Sequence, residues 1–214
     1  MKRLLIIGAQ GQGKVVLDCA ISTGQYGLFA FMTTEPENGG IKGYPLLDQN
    51  KTSIEYIKEN FDEVIVAVGL NNQARLRVTN ELEDKGLKIA TLIHPSSTVS
   101  KFSKIGKGSV ILANSVINPY ATVGRACIIN TGSIVEHDCI VEDGVHMSPN
   151  STIAGRVHVG KCTWICMGSS VAHDITIGKN STVGAGAVVL RDVPDNVLVA
   201  GIPAIIKKEY PQSE

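Results

Sequence analysis

The chain has 214 residues, 43% of them hydrophobic, and its 20 Lys and Arg residues balance its 20 Asp and Glu residues. This length allows one large domain or two small ones. Zero net charge argues against a nucleic-acid binder, because such proteins usually carry a basic excess. No apolar run reaches the roughly 18 residues of a membrane-spanning helix, so we expect neither nucleic acid nor a membrane span.

The first 92 residues alternate between strand-like and helix-like segments. Strands are predicted at Lys2–Ile7, Leu28–Met32, Val64–Val68 and Leu87–Leu92, and helices at Lys14–Thr23, Ser53–Asn60 and Asn71–Lys85. Ser53 can cap the second helix and Gly86 can end the third. Continuous apolar strands that alternate with helices are typical of a parallel sheet with flanking helices. We therefore predict a small Rossmann-like β-α-β domain over residues 1–92, with Lys2–Ile7 as its first strand rather than part of a signal peptide.

A glycine-rich turn, Gly8-Ala9-Gln10-Gly11-Gln12-Gly13, joins the first strand to the first helix. Its spacing differs from the G-x-G-x-x-G pattern of dinucleotide-binding turns, and no acidic residue ends the second strand. We therefore do not expect NAD. The turn is either a plain tight connection or a helix N-terminus that receives a phosphate or a sugar hydroxyl.

From Ile93 to Val189 every sixth residue is aliphatic. The positions are Ile93, Val99, Ile105, Ile111, Ile117, Val123, Ile129, Val135, Val141, Met147, Ile153, Val159, Ile165, Val171, Ile177, Val183 and Val189. Neither a helix nor a simple strand has this period, whereas a β-helix of hexapeptide repeats does. We predict a three-sided parallel β-helix over residues 93–214 without inserted loops, with the tail after Val189 covering the open end. Gly106, Gly124, Gly160, Gly178 and Gly184, which follow an aliphatic position, are predicted to have positive φ.

Polar residues gather around one part of the repeats. A coil of 18 residues would stack His137, Gly155 and His173 on one side, which places an imidazole beside a residue without a side chain. Asp138 could orient His137 as a base. The alternative is that His137 and His146 are surface residues on a solvated face.

Several segments together resemble a known family. The hexads, with GAGAVVLRDVP (Gly184–Pro194) and VAGIPA (Val199–Ala204), resemble the left-handed β-helix acyltransferases. With the leading IIGAQGQGKVVLD and the block NTGSIVEHD to VHMSPNSTIAG, the chain is similar to bacterial sugar acetyltransferases, which include UDP-4-amino-sugar N-acetyltransferases and sialic acid O-acetyltransferases.

This resemblance implies a left-handed β-helix, a homotrimer with sites between neighbouring columns, and acetyl-CoA and a nucleotide-sugar as substrates. His137 matches the general base and Asp138 its acidic neighbour. The acetyl-CoA positions are matched by His146, Gly155, Met167, Gly184 and Ala185, and the nucleotide-sugar positions by Gln10, Gly11, Gln12, Gly69 and Asn72. We expect direct transfer of acetyl to the amino group of a nucleotide-linked 4-amino sugar, or alternatively O-acetylation of sialic acid or a related sugar.

Two departures from the family pattern leave the substrate open. Gln12 replaces a histidine of the family turn, and Met32-Thr33-Thr34-Glu35 replaces an Asp pair that UDP-binding relatives often carry. The nucleotide could therefore be UDP, dTDP or GDP. A zinc enzyme that uses His137, His146 and His173, and a non-catalytic scaffold, are weaker alternatives.

The five cysteines, an odd number, fit no zinc or disulfide framework. A reduced, cytoplasmic protein without a bound metal is the simplest expectation.

Overall fold

The computed structural model describes residues 1–211, which form a small parallel-sheet domain followed by a three-sided column. The first domain contains β1 (Lys2–Ile7), α1 (Gly11–Ser22), β2 (Tyr26–Thr33), β3 (Leu46–Asp48), α2 (Ile54–Asn60), β4 (Glu63–Val66) and α3 (Asn72–Asp84). Its strands are parallel, in the order β3-β2-β1-β4. No helix in this described range is long and apolar enough to cross a bilayer.

The sheet domain confirms most of the predicted elements. Ser53 caps α2, because its hydroxyl accepts a hydrogen bond from the Tyr56 N–H, and Gly86 follows α3 with φ of 79°. The predicted strand Leu87–Leu92 is wrong. This segment forms only one isolated bridge, between Ile89 and Val64, and Leu92 already belongs to the column. The edge strand β3 was not predicted, since its three residues follow a loop and are too short to show a period.

The column consists of two-residue strands that recur every six residues from residue 92 to residue 189. They are β5 (Leu92–Ile93), β6 (Thr98–Val99), β7 (Lys104–Ile105), β8 (Val110–Ile111), β9 (Val116–Ile117), β10 (Thr122–Val123), β11 (Ile128–Ile129), β12 (Ile134–Val135), β13 (Ile140–Val141), β14 (His146–Met147), β15 (Thr152–Ile153), β16 (His158–Val159), β17 (Trp164–Ile165), β18 (Ser170–Val171), β19 (Thr176–Ile177), β20 (Thr182–Val183) and β21 (Val188–Val189). From β5 to β18 each pairs in parallel with the strand three further on, as Ile128 with His146 shows. The second residue of nearly every strand enters one continuous apolar core, so the unbroken register is confirmed.

The column has three faces and three corners. The domain face carries β5, β8, β11, β14, β17 and β20; the second face carries β6, β9, β12, β15, β18 and β21; the third face carries β7, β10, β13, β16 and β19. The His137 corner (Pro119, His137, Gly155 and His173) joins the second and third faces. The Met167 corner (Thr131, Pro149, Met167 and Ala185) joins the domain face to the second face. These two corners carry most of the predicted catalytic and acetyl-CoA positions.

The prediction of positive φ at the glycines that follow an aliphatic residue is wrong. Positive φ occurs two positions later, in every hexad from Gly108 to Gly186, for example at Asn114 and Asp138. Gly106 and Gly160 are required instead because there is no space for a Cβ at these positions. A Cβ on Gly106 would lie 2.5 Å from the Gly124 carbonyl carbon in the next coil, which shows that these glycines permit close stacking of coils.

The C-terminal segment closes the far end of the column. The strand β22 (Val197–Gly201) continues the domain face beside β20, and β23 (Ala204–Glu209) turns back antiparallel to it. Val193, Val197 and Val199 are buried in the column core, as expected of a tail that covers an open end.

The two domains share a buried contact centred on Arg75 of α3. Its side chain is 1% exposed and donates hydrogen bonds to the carbonyls of Ala126 (2.7 Å), Val68 (2.9 Å) and Gly144 (2.7 Å). Burial lowers the pKa of Arg75 to about 10, so the guanidinium stays charged at neutral pH. Arg75 thus joins the segment after β4 to two coils of the column.

We expect Arg75→Ala to lower the free energy of unfolding by about 3–5 kcal/mol, because several buried carbonyls lose their donor and a cavity forms. Arg77→Ala on the same helix is the control. Arg77 forms an exposed pair with Glu81, and its loss should cost under about 0.5 kcal/mol. Urea unfolding at equal chain concentration measures both values, and equal costs would contradict this account of the contact.

Candidate functional site

The His137 corner brings the predicted base and its partners together. The Nδ1 atom of His137 lies 2.7 Å from Oδ2 of Asp138, and both side chains are about half exposed. The ring lies over Gly155 so closely that a Cβ there would be 2.6 Å from Nε2 of His137. The stacking of an imidazole over a bare backbone is therefore confirmed.

The hydrogen bond to Asp138 determines the tautomer of the His137 imidazole. A carboxylate only accepts, so the Nδ1 atom carries the proton and the Nε2 atom presents a lone pair. An imidazole oriented in this way can accept a proton from a reacting group.

Gly155 adds a backbone donor beside this base. Among residues 1–211 no acceptor pairs with its N–H. Pro119, which has no N–H, holds the equivalent position two coils earlier, so the fold does not use this donor. A free N–H next to a base can stabilise a developing oxyanion.

A cavity of about 540 Å³ lies in the sheet domain, at the carboxyl ends of the parallel strands. Its lining is Gly8, Ala9, Gln10, Gly11, Gln12, Thr33, Thr34, Glu35, Ala67, Val68, Gly69, Leu70 and His146. Such an edge is the usual ligand crevice of an open α/β sheet. Helix α1 opens into it without a side-chain cap, so its first N–H groups can meet an anion.

Four of the five predicted nucleotide-sugar residues line this cavity: Gln10, Gly11, Gln12 and Gly69. The fifth, Asn72, lies elsewhere. It is 9% exposed, and its amide donates to the carbonyls of Cys162 (3.1 Å) and Thr163 (3.3 Å) on the column. Asn72 therefore connects the two domains, and its predicted contact with substrate stays a prediction.

His146 borders the same cavity, although it belongs to the column. It is 5% exposed, its Nδ1 lies 3.1 Å from the Gly69 carbonyl oxygen, and its ring stacks on Trp164 at 5.4 Å and 8°. Burial, with a smaller effect from the Arg75 charge, lowers the pKa of His146 to about 4. Its predicted contact with acetyl-CoA stays a prediction.

The lowered pKa of His146 predicts a dependence of stability on pH. The unfolded chain binds a proton at this imidazole near pH 6.5, whereas the folded chain does so only near pH 4. The stabilisation is therefore present above pH 6.5 and falls by on the order of 3 kcal/mol as pH drops to 4. Urea unfolding at pH 7 and pH 4.5 should show a smaller loss for His146→Asn than for the unaltered chain. An equal loss would contradict the prediction.

The remaining predicted acetyl-CoA positions follow the Met167 corner. Met167 and Ala185 are one coil apart, since the Gly186 N–H donates to the Met167 carbonyl at 2.9 Å. Met167 is 60% exposed. At Gly184 a Cβ would lie 2.9 Å from Cβ of Ala200. These residues form a strip separated from His137 by the width of the second face.

The three histidines of the zinc alternative do not converge within one chain. His137 lies on a corner and His146 on the domain face, and across residues 1–211 no group of His, Cys, Asp or Glu is arranged to hold a metal. Sequence reasoning missed Arg75 and the role of Trp164. Neither carries a motif, because Arg75 occupies one ordinary helical position and Trp164 one outward hexad position.

The fold and this site define a hexapeptide-repeat transferase with an added sheet domain. The profile described as "PglD N-terminal domain" matches residues 3–82, and "Bacterial transferase hexapeptide (six repeats)" matches residues 156–191. The chain belongs to the family of left-handed β-helix sugar acetyltransferases that includes perosamine N-acetyltransferase and the acetyltransferase domain of PglB.

Two solved structures show the extent of this similarity. A histidine variant of perosamine N-acetyltransferase from Caulobacter crescentus, in complex with CoA and GDP-perosamine, is 33% identical, with a TM-score of 0.91 over 98% of both chains. The acetyltransferase domain of PglB from Neisseria gonorrhoeae, in complex with acetyl coenzyme A, is 37% identical, with a TM-score of 0.88 over 96% of this chain and 98% of that chain.

Sequence similarity to a curated protein supports the same family. GDP-perosamine N-acetyltransferase of Escherichia coli O157:H7 is 30% identical over 162 residues, which are 75% of this chain and 63% of that protein. The aligned part thus spans less than two thirds of that relative. The predictions of fold and family are confirmed.

Proposed function

We propose that this protein transfers acetyl from acetyl-CoA to the amino group of a nucleotide-linked 4-amino sugar. The observation that carries the proposal is the His137–Asp138 pair lying against Gly155, whose N–H has no acceptor among the described residues. Base and oxyanion donor are the two groups that aminolysis of a thioester needs. The relatives named for N-acetylation of perosamine support the same reaction.

The chemical step is a direct transfer. The amine nitrogen attacks the thioester carbonyl, the N–C bond forms, and Nε2 of His137 takes the proton of that nitrogen. The C–S bond then breaks, and the leaving CoA sulfur receives the proton from His137. No protein acyl intermediate is needed. Burial raises the pKa of Cys139 to about 11, which makes the cysteine next to the Asp138–His137 pair a poor nucleophile.

Gly155 stabilises the tetrahedral intermediate in this proposal. Its unused N–H donates to the oxyanion, and one such donor is worth roughly 3–4 kcal/mol. Asp138 accepts from Nδ1 of His137 throughout and stabilises the imidazolium that forms.

The cavity of the sheet domain holds the nucleotide-sugar. The N-terminus of α1 suits the diphosphate, and the Glu35 carboxylate supplies an acceptor for the N–H edge of a base. Guanine offers more such donors than uracil or thymine, and the perosamine relatives are named with GDP-perosamine. We therefore place GDP first among the three nucleotides.

The active unit is a homotrimer in this proposal. Within one chain the His137 corner and the Met167 corner lie at opposite edges of the second face, so a neighbouring column has to complete the site. Two exposed aromatic rings next to the His137 corner, Phe102 and Tyr120, stack at 5.6 Å and suit burial against another chain. Light scattering should give three times the 22.7 kDa of one chain.

The decisive experiment measures thiol release from acetyl-CoA with GDP-, UDP- and dTDP-linked 4-amino sugars, and with sialic acid. Turnover with one amino sugar supports the proposal and identifies the nucleotide. Turnover with sialic acid alone would replace N-acetylation with O-acetylation. Absence of CoA binding would favour a non-catalytic scaffold. The unpaired cysteines of the described chain fit a reducing compartment, so we propose that the reaction is cytoplasmic.

A further inference from the structure

The wall of the nucleotide-sugar cavity after β4 has no regular secondary structure. Residues 67–71 lie between β4 and α3, and Leu70 at their centre is 82% exposed. Two side chains from outside this segment hold its carbonyls: Arg75 donates to that of Val68 at 2.9 Å, and His146 lies 3.1 Å from that of Gly69. Because His146 belongs to the column, the position of the wall depends on the column.

The hydrogen-bond network determines which nitrogen of His146 carries the proton. The carbonyl of Gly69 can only accept, so Nδ1 is the donor. On the other side, Oδ1 of Asn130 accepts from the Thr131 N–H at 2.8 Å, which turns its amide nitrogen toward Nε2 of His146 at 3.4 Å. Nε2 then accepts, and the imidazole is neutral with its proton on Nδ1.

The ring of His146 is also held in orientation. It stacks against Trp164, and Nε1 of Trp164 donates to the Ser148 hydroxyl at 2.7 Å. Both nitrogens of His146 and one face of its ring are thus engaged by protein groups. This is the environment of a residue that positions another segment, rather than of a base.

We propose that His146 is a positioning residue for the nucleotide-sugar, which holds the Gly69 carbonyl and thereby sets the shape of the cavity wall. This inference rests on the proposed function, since it assigns the cavity to the nucleotide-sugar. It differs from a role of His146 in contacting acetyl-CoA, because its effect is confined to the other substrate.

Matched substitutions test this inference. The amide nitrogen of Asn can take the place of Nδ1, whereas that of Gln corresponds to Nε2. In calorimetry with the intact protein and GDP-perosamine, or the best substrate of the panel, His146→Gln and His146→Ala should weaken binding about tenfold. His146→Asn should stay within about threefold of the unaltered protein. The KM for acetyl-CoA should be unchanged in all three.

The opposite pattern overturns the inference: a raised KM for acetyl-CoA with unchanged nucleotide-sugar binding assigns His146 to the acetyl-CoA path. Equal weakening by Asn and Gln would also overturn it, since no specific donor is then required. Failure of the unaltered protein to bind any nucleotide-sugar would remove the proposed function itself, and this inference with it.

A measurement on the unaltered protein avoids any folding defect of the variants. Long-range ¹H–¹⁵N spectra of the imidazoles, assigned with His146→Asn, report the protonated nitrogen of each histidine. We expect a proton on Nδ1 of His146 at pH 7. A proton on Nε2 would contradict the hydrogen bond to Gly69.

Discussion

His137→Ala should lower kcat by about 10²–10⁴-fold, because the amine loses the group that accepts its proton. The side chain is half exposed, so its removal should leave the fold and the oligomer mass unchanged. The KM for acetyl-CoA should change little. Steady-state thiol release, measured with the best substrate of the panel, gives these values.

Two further variants separate this role from a general effect of losing an imidazole. His94→Ala removes a histidine at the domain junction, where it contacts Ser96, and should stay within about twofold of normal kcat. Asp138→Asn keeps a residue that tolerates the φ of 59° at this position. An amide that donates to Nδ1 would move the proton to Nε2, and we expect kcat to fall at least tenfold. Normal turnover of His137→Ala would exclude His137 as the base.

The column could be predicted from the sequence almost completely. A period of six fixes both the inward residues and the stacking of coils, so the proximity of His137 to Gly155 followed from counting 18 residues along the chain. The sequence did not show why the glycines that follow an aliphatic position are required. At Gly106 the deciding quantity is a 2.5 Å distance to the next coil, which a period cannot supply.

The sheet domain was predicted less well because short segments carry weak patterns. The segment Leu87–Leu92 has the composition of a strand. Its last residue, Leu92, pairs within the column instead, so only one bridge to β4 forms. Contacts between the domains were beyond sequence reasoning altogether. The placement of His146 against Gly69 joins positions 77 residues apart, and no local pattern connects them.

Gly155→Ala should reduce kcat about 100-fold while the protein stays folded. The added Cβ would lie 2.6 Å from Nε2 and 2.7 Å from Cε1 of His137, closer than atoms can approach. The ring is half exposed and can swing away, so we expect a change in unfolding free energy of at most about 1 kcal/mol. Displacing Nε2 by about 1 Å is enough for a rate loss of this size.

Gly160→Ala provides the contrast, since its Cβ would meet backbone rather than a side chain. The obstacles are the Lys179 nitrogen at 2.6 Å and the Gly178 carbonyl carbon at 2.7 Å, and the stacked coils cannot yield. We expect a loss of about 3 kcal/mol or more in unfolding free energy, with kcat per folded molecule nearly normal. Urea unfolding and thiol release, compared for both variants, should therefore give opposite patterns.

The combination of His137→Ala with Gly155→Ala tests whether the two residues act on each other. If the alanine at position 155 acts only by displacing the imidazole, it should have no further effect on kcat once the imidazole is gone, and its small cost in stability should disappear. A further 100-fold loss in the double variant would show that Gly155 acts independently of His137, for instance through a contact with the thioester. The added Cβ would then disturb the contact between the N–H of residue 155 and the oxyanion, and displacement of the ring would not be the cause of the rate loss.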